Sequence, residues 1–125
     1  MQEKTAYLEA LRYFANAKET LKLAKKDDYV YTDVKYVKTA CGTAYNGVLI
    51  AVEHYLKGKE GLKFKRPKSI EEFRTRVGKQ NKSLLKMLNH AYETLHIHGY
   101  YFGTTAVSTV TDGFQIGLKI VQFAK

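Results

Sequence analysis

Val34, Val37, Cys41, Ala44, Val48, Ala51 and Tyr55 recur in alternating steps of three and four residues. That spacing keeps all seven side chains on one stripe of an α-helix and would scatter them over both faces of a strand. Such a stripe is the seam of a helix packed among other helices. Leu49, Val52 and Leu56 widen it. The segment is predicted helical from about Thr32 to Lys57. Gly42 and Gly47 lower its helix propensity, and close approach of a neighbouring helix is the expected compensation.

Three more segments repeat the pattern. From about Thr5 to Lys26, the residues Tyr7, Ala10, Leu11, Phe14, Ala17, Leu21 and Ala24 share a face, with Glu3, Glu9, Lys18, Glu19, Lys22 and Lys25 mostly off it. Asp27-Asp28-Tyr29 ends that run. A third helix opens at Ser69, whose hydroxyl can accept from the Glu72 N–H while Glu72 reaches back to Ser69, a capping box. Ile70, Phe73, Val77, Leu84, Leu88, Ala91 and Leu95 mark its face. It is predicted to end near His96 to His98 with Gly99 just beyond, to span about 40 Å, and to be weakest at Gly78. The fourth starts near Thr104 or Thr105 and buries Val107, Val110, Phe114, Gly117, Val121 and Ala124. Val107 to Thr111 is rich in β-branched residues but lies inside this helical pattern. Gly113-x-x-x-Gly117 forms a close-packing face, either within the protein or for a partner helix.

The only proline, Pro67, sits in the one long connection, Gly58 to Lys68. The links after the first and third helices are short, which favours antiparallel neighbours. The expected fold class is therefore all-α: an up-down-up-down four-helix bundle, one domain over residues 1–125. One hundred and twenty-five residues with 45% hydrophobic content suffice for a core without disulfides. Cys41, the only cysteine, is expected to be a small buried seam residue in a reducing compartment. Met1 to Lys4 lacks the layout of a signal peptide, and no apolar run approaches the roughly 20 residues of a membrane span. A cytoplasmic protein without a membrane partner is expected.

The formal net charge is +9, which favours acidic partners such as nucleic acid or nucleotides. The densest cation cluster is Lys57, Lys59, Lys63, Lys65, Arg66 and Lys68, opposed only by Glu60. It is either a solvated loop or a grip on phosphates. Arg76, Lys79, Lys82 and Lys86 would form a basic stripe on the third helix, with the same two readings. In an up-down bundle the first and third connections share an end. Tyr29, Tyr31 and Tyr36 would there meet Tyr100, Tyr101 and Phe102. This aromatic pole either caps the core or makes an interface, a dimer contact foremost.

Four histidines are present: His54, His90, His96 and His98. Glu93-x-x-His96 has the spacing of half a di-metal site, but no second Glu-x-x-His and too few further carboxylates accompany it. No metal and no cofactor are expected, and no phosphate-binding glycine loop follows a strand.

Tyr13-Phe14-Ala15-Asn16-Ala17-Lys18-Glu19-Thr20-Leu21, Tyr31 to Lys38, Ala40-Cys41-Gly42-Thr43-Ala44-Tyr45, Ala91 to His96 and Gly99-Tyr100-Tyr101-Phe102-Gly103 resemble a small bacterial family of unknown function. That family is similar to the HEPN superfamily of nucleotide-binding four-helix bundles. The resemblance covers nearly the whole chain and implies the bundle fold and homodimerisation. Many HEPN domains are RNases, or partners of small nucleotidyltransferases, and their RNase signature is an Arg followed four to six residues later by His. No His stands at that distance from Arg12, Arg66, Arg74 or Arg76, and His90 is fourteen residues past Arg76. The resemblance therefore implies a non-catalytic homodimeric binding or interaction module, in contact with nucleotide, RNA or a protein partner. The alternative is a divergent RNase or nucleotide-handling enzyme using His90, Glu93, His96 and the tyrosines of the pole.

Overall fold

The computed structural model describes residues 2–125, with side chains from residue 5 onward, so the Glu3 side chain lies outside the described residues. The protein is predominantly helical. In chain order it has α1 (Gln2–Lys22), a tiny hairpin of β1 (Lys26–Asp27) and β2 (Val30–Tyr31), α2 (Val34–Glu60), a 3-10 turn (Gly61–Lys63), α3 (Ile70–Gln80), α4 (Lys82–Ala91), a π-helix (Tyr92–Tyr101) and α5 (Val107–Phe123). The seam of α2 is buried from Val37 to Ala51, and Val34 and Tyr55 are half-buried at its ends. Ala10, Phe14 and Ala17 of α1, Leu84, Leu88 and Ala91 of α4, and Val110, Phe114 and Val121 of α5 complete the core.

The two α2 glycines sit under neighbouring side chains. A Cβ on Gly47 would lie 3.1 Å from both Tyr13 and Phe14 of α1, and one on Gly42 would lie 2.8 Å from the Tyr100 ring. Gly113 and Gly117 face Leu95 and Phe14, so the small-residue face of α5 is used inside the molecule.

The third helical arm differs from its prediction. It is three pieces, not one rod, and it breaks at Asn81, not at Gly78. Asn81 leaves helical geometry (φ −162°, ψ 114°) and its side chain accepts from the Leu84 N–H at 2.8 Å. Asparagine is among the best N-cap residues, so one residue ends α3 and starts α4. Beyond Ala91 the turns widen, as the Phe102 N–H bonding to the Ile97 carbonyl five residues back shows (3.0 Å). Helical structure therefore runs past the predicted stop at His98. Gly99 lies inside the π-helix, and the positive φ (+68°) belongs to Gly103. At the start of α3, Ser69 caps Glu72 as predicted, but Glu72 reaches back to the Lys68 N–H (3.2 Å), one residue before the predicted partner. At the far end of α2, helix continues through Glu60 into the glycine-lysine connection.

The first and third connections do share one end. Val30 bridges to Ala106, the Tyr31 N–H donates to the Thr105 carbonyl (2.8 Å), and the Val107 N–H donates to the Tyr29 carbonyl (3.0 Å). These bonds use the backbone of the β1–β2 hairpin, which the sequence did not announce. Two non-glycine residues take left-handed backbone here, Lys25 (φ 55°) and Asp28 (φ 59°). Asp28 makes the tight turn of the hairpin, where aspartate tolerates such a φ. Lys25 stands just past α1, where glycine is the usual helix-ending residue. Lys25→Gly should relieve that strain and raise unfolding free energy by about 0.5–1 kcal/mol, measured by urea denaturation; no gain would place the strain elsewhere.

Candidate functional site

One face of α2 lies at the edge of the core, with Thr39 and Asn46 exposed and Thr43, Ile50 and Glu53 half-buried. The π-helix and the Arg66–Ile70 segment stand beside it, and the space between forms two adjoining cavities. The larger, about 610 Å³, lies among Tyr13, Asn46, Glu53, Arg66, Lys68 and Tyr92. The smaller, about 430 Å³, continues past Thr39, Gly42, Thr43 and Tyr100. Tyr45, Asn46 and His96 line both, so the two make a single groove.

The groove wall is a column of rings. Tyr92 and His96 stack nearly parallel, 5.0 Å apart with a 10° interplanar angle. Tyr45 lies 5.0 Å from His96, and Tyr100 lies 5.6 Å from it on the next turn. Three rings four residues apart on one helix face produce this ladder, since each stands about one turn above the last. The Arg74 guanidinium continues the column 4.7 Å from the Tyr92 ring, with its Nε donating to Asn89 Oδ1 at 2.8 Å.

His96 is the group in this wall with unspent chemistry. Its Nδ1 is buried and meets no hydrogen-bond partner in the protein. Burial moves the imidazole pKa below its ordinary value, which keeps the ring neutral at physiological pH. Leaving a buried polar atom without a partner costs about 1–3 kcal/mol, a cost the packing of this wall bears. Burial also raises the Tyr45 phenol, helped by the neighbouring Tyr92, so Tyr45 contributes a neutral hydroxyl. At the mouth, Arg66 Nε donates to Glu53 Oε1 at 2.9 Å while the guanidinium stays largely exposed.

The other sequence-predicted residues are distributed as follows. Lys57, Lys59, Lys63 and Lys65 are exposed at the end of α2 and along the connection, and only Arg66 and Lys68 reach the groove. Arg76 is mostly buried, forked onto Glu60 (2.9 and 2.5 Å) and paired with Glu72 (2.9 Å). Hydrogen bonding to Arg76 holds the Glu60 carboxyl below the usual range. Lys79, Lys82 and Lys86 are exposed, but the Asn81 break puts Lys79 on α3 and the other two on α4, so the continuous stripe is not formed. At the aromatic pole, Tyr29, Tyr100, Tyr101 and Phe102 are exposed. Tyr31 is instead buried in the core, because its backbone is drawn into the hairpin, and Tyr36 is half-buried beneath Lys35.

His90, Glu93 and His96 do not converge. His90 Nε2 meets Asp112 of α5 at 2.6 Å beside a different cavity, and Glu93 faces His98 at 3.8 Å. Among the described residues no three His, Cys, Asp or Glu side chains gather as metal ligands. Cys41 is fully buried, and burial pushes its thiol up to about 12, which leaves it without nucleophilic character at neutral pH. Tyr13, Tyr45, Asn46 and Tyr92 belong to the groove and were not singled out from the sequence. The signal that carries them is the second stripe of α2 and the repeat of rings at Tyr92, His96 and Tyr100.

A protein of unknown function from Dyadobacter fermentans has a solved structure that superposes with a TM-score of 0.87 at 34% identity, over 99% of this chain and 96% of that one. No curated protein matches. A family model described as a domain of unknown function, DUF5618, matches residues 5–125, and the chain belongs to that family.

Proposed function

We propose that the protein is a non-catalytic binding module, an HEPN-like four-helix bundle that holds a nucleotide or a short stretch of RNA in the α2 groove. Counting α3, α4 and the π-helix as one arm gives the four helices of that reading. The observation that carries it is one groove lined by Tyr13, Tyr45, Tyr92 and His96 with Arg66 and Lys68 at its mouth. Rings that offer stacking faces beside cations that meet phosphate are what such ligands need. The neutral His96 and the Asn46 amide supply hydrogen-bonding groups for a base edge. A nuclease reading draws less support, because its candidate side chains stand at separate places. The cytoplasm is the proposed setting.

Fluorescence or calorimetric titration with mononucleotides and short single-stranded RNA at low salt tests this. His96→Ala should weaken binding about fivefold or more, the worth of a lost stacking partner. Arg66→Glu should weaken it and flatten its salt dependence. Absence of any saturable binding, or unaltered affinity in both variants, refutes the groove reading.

The His96 shift gives a signed pH dependence. Its folded pKa lies below the unfolded value near 6.5, so below that pH the unfolded chain binds more protons than the native one. Stability contributed by neutral His96 is thus fully present above pH ~6.5 and declines as pH falls below it. An NMR titration of His96 should give a midpoint under 6.5, and His96→Phe should remove that part of the acid sensitivity.

We further propose that the exposed ring cluster at the shared end joins two copies of the chain. Tyr101 and Phe102 pack edge to face, 4.9 Å between centroids, with most of both rings open to solvent. Sedimentation velocity should show a dimer that Tyr101→Asp with Phe102→Asp converts to monomer. A wild-type monomer at high concentration refutes it.

A further inference from the structure

The groove takes up Arg66 and Lys68, and carboxylates take up Arg76. Lys57, Lys59, Lys63 and Lys65 belong to neither, and all four are exposed. Between them Leu62 stands on the 3-10 turn, fully open to solvent and the most exposed of the large apolar side chains among the described residues.

The loop is constructed to present it. Arg76 donates to Glu60 before the turn and to the Lys65 carbonyl after it (2.6 Å), so one guanidinium pins both feet of the loop. Gly61 turns the chain with φ +62°. Phe64 is directed inward, half-buried with its ring 5.5 Å from the Arg76 guanidinium, while Leu62 points away. The nearby acidic groups are already paired: Glu60 and Glu72 with Arg76, and Glu53 with Arg66. What projects is one aliphatic side chain on a pinned turn, with Lys59, Lys63 and Lys65 beside it and the Lys59 ammonium 5.5 Å from the Tyr55 ring.

We propose that this tip is a peripheral docking site for an anionic lipid surface. Leu62 enters the acyl boundary, and Lys59, Lys63 and Lys65 meet the headgroup charges. A nucleic acid gains no stacking from an aliphatic side chain. A stable protein interface needs about 1,000 Å² of buried surface, more than one turn presents. A lipid surface accepts a single inserted side chain, and each lysine near anionic headgroups adds about fivefold in affinity. No helix of the described residues is long and apolar enough to cross a membrane. The expectation of no membrane partner rested on that kind of span, which a peripheral contact does not need.

Co-sedimentation of the full chain with phosphatidylcholine vesicles, with and without phosphatidylserine, tests the proposal. Binding should require phosphatidylserine and fall at high salt. Leu62→Ser should weaken it about tenfold, and Lys63→Glu with Lys65→Glu should abolish it. The chain contains no tryptophan, so Leu62→Trp places a single indole at the tip. Its emission should shift to the blue on phosphatidylserine vesicles and be quenched by brominated acyl chains. The proposal is overturned by equal binding to pure phosphatidylcholine, by no binding at all, or by binding with unshifted indole emission. An indole that responds to RNA or to an acidic protein but not to phosphatidylserine overturns it equally.

Discussion

Phe14 organises the molecule by projecting from α1 into space that only two glycines leave open. A Cβ on Gly117 of α5 would lie 2.6 Å from its ring, and one on Gly47 of α2 would lie 3.1 Å from it. The same ring meets Phe114 edge to face at 5.9 Å. Three helices are thus fixed around one buried aromatic side chain, whose burial contributes on the order of 2–3 kcal/mol. Interiors this tightly packed transmit position. Because α2 is drawn toward α1 and α5 on this side, its opposite face is left without a helix of its own, and there the groove forms.

What flanks that face depends on the break in the third arm. Asn81 separates α3, beside the C-terminal end of α2, from α4, which packs on α5, after which the π-helix swings onto α2. Gly99 sets how near it comes, since a Cβ there would lie 2.5 Å from the Cys41 sulfur. That approach is what brings His96 over Tyr45. The buried thiol, the inner glycine and the ring ladder are consequences of a single contact.

The apolar seams were legible in the sequence because burial imposes the helical period directly on residue type, and each of the four faces is buried or half-buried as its spacing implied. The third arm was legible in its face but not in its shape. Leu84, Leu88 and Leu95 keep step with Phe73 and Val77 across Asn81, so the periodicity carries no mark of the break. The usable mark was chemical: an asparagine three residues before a leucine run is an N-cap. The π-helix changes hydrogen bonding without changing composition, and only the rings at Tyr92, His96 and Tyr100 signal it. Tyr31 lies at the shared end as expected, but which of its two readings holds turned on backbone bonds to Thr105, a partner remote in sequence, and there it is buried. The groove was largely hidden for the same reason, since half of its wall comes from a segment about fifty residues away from α2's outer stripe.

Basic charge was the most conspicuous property of the sequence, and the structure divides it by residue type. Each arginine has a fixed partner: Arg76 forks onto Glu60 and also meets Glu72, Arg12 forks onto Glu9, Arg66 meets Glu53 through Nε, and Arg74 meets Asn89 above the Tyr92 ring. A planar guanidinium with fixed donors suits such bidentate and stacked positions, whereas an ammonium is more strongly hydrated and stays in water. The positive charge that faces solvent is therefore mostly lysine. Charge of that kind acts at long range and without regard to shape. The groove and the turn at Leu62 have fixed shapes, and arginine builds both. Arg74 extends the ring column of the first, and Arg76 holds the feet of the second. Arg66 belongs to both kinds of use, because its guanidinium is largely exposed and its pair with Glu53 is therefore weak.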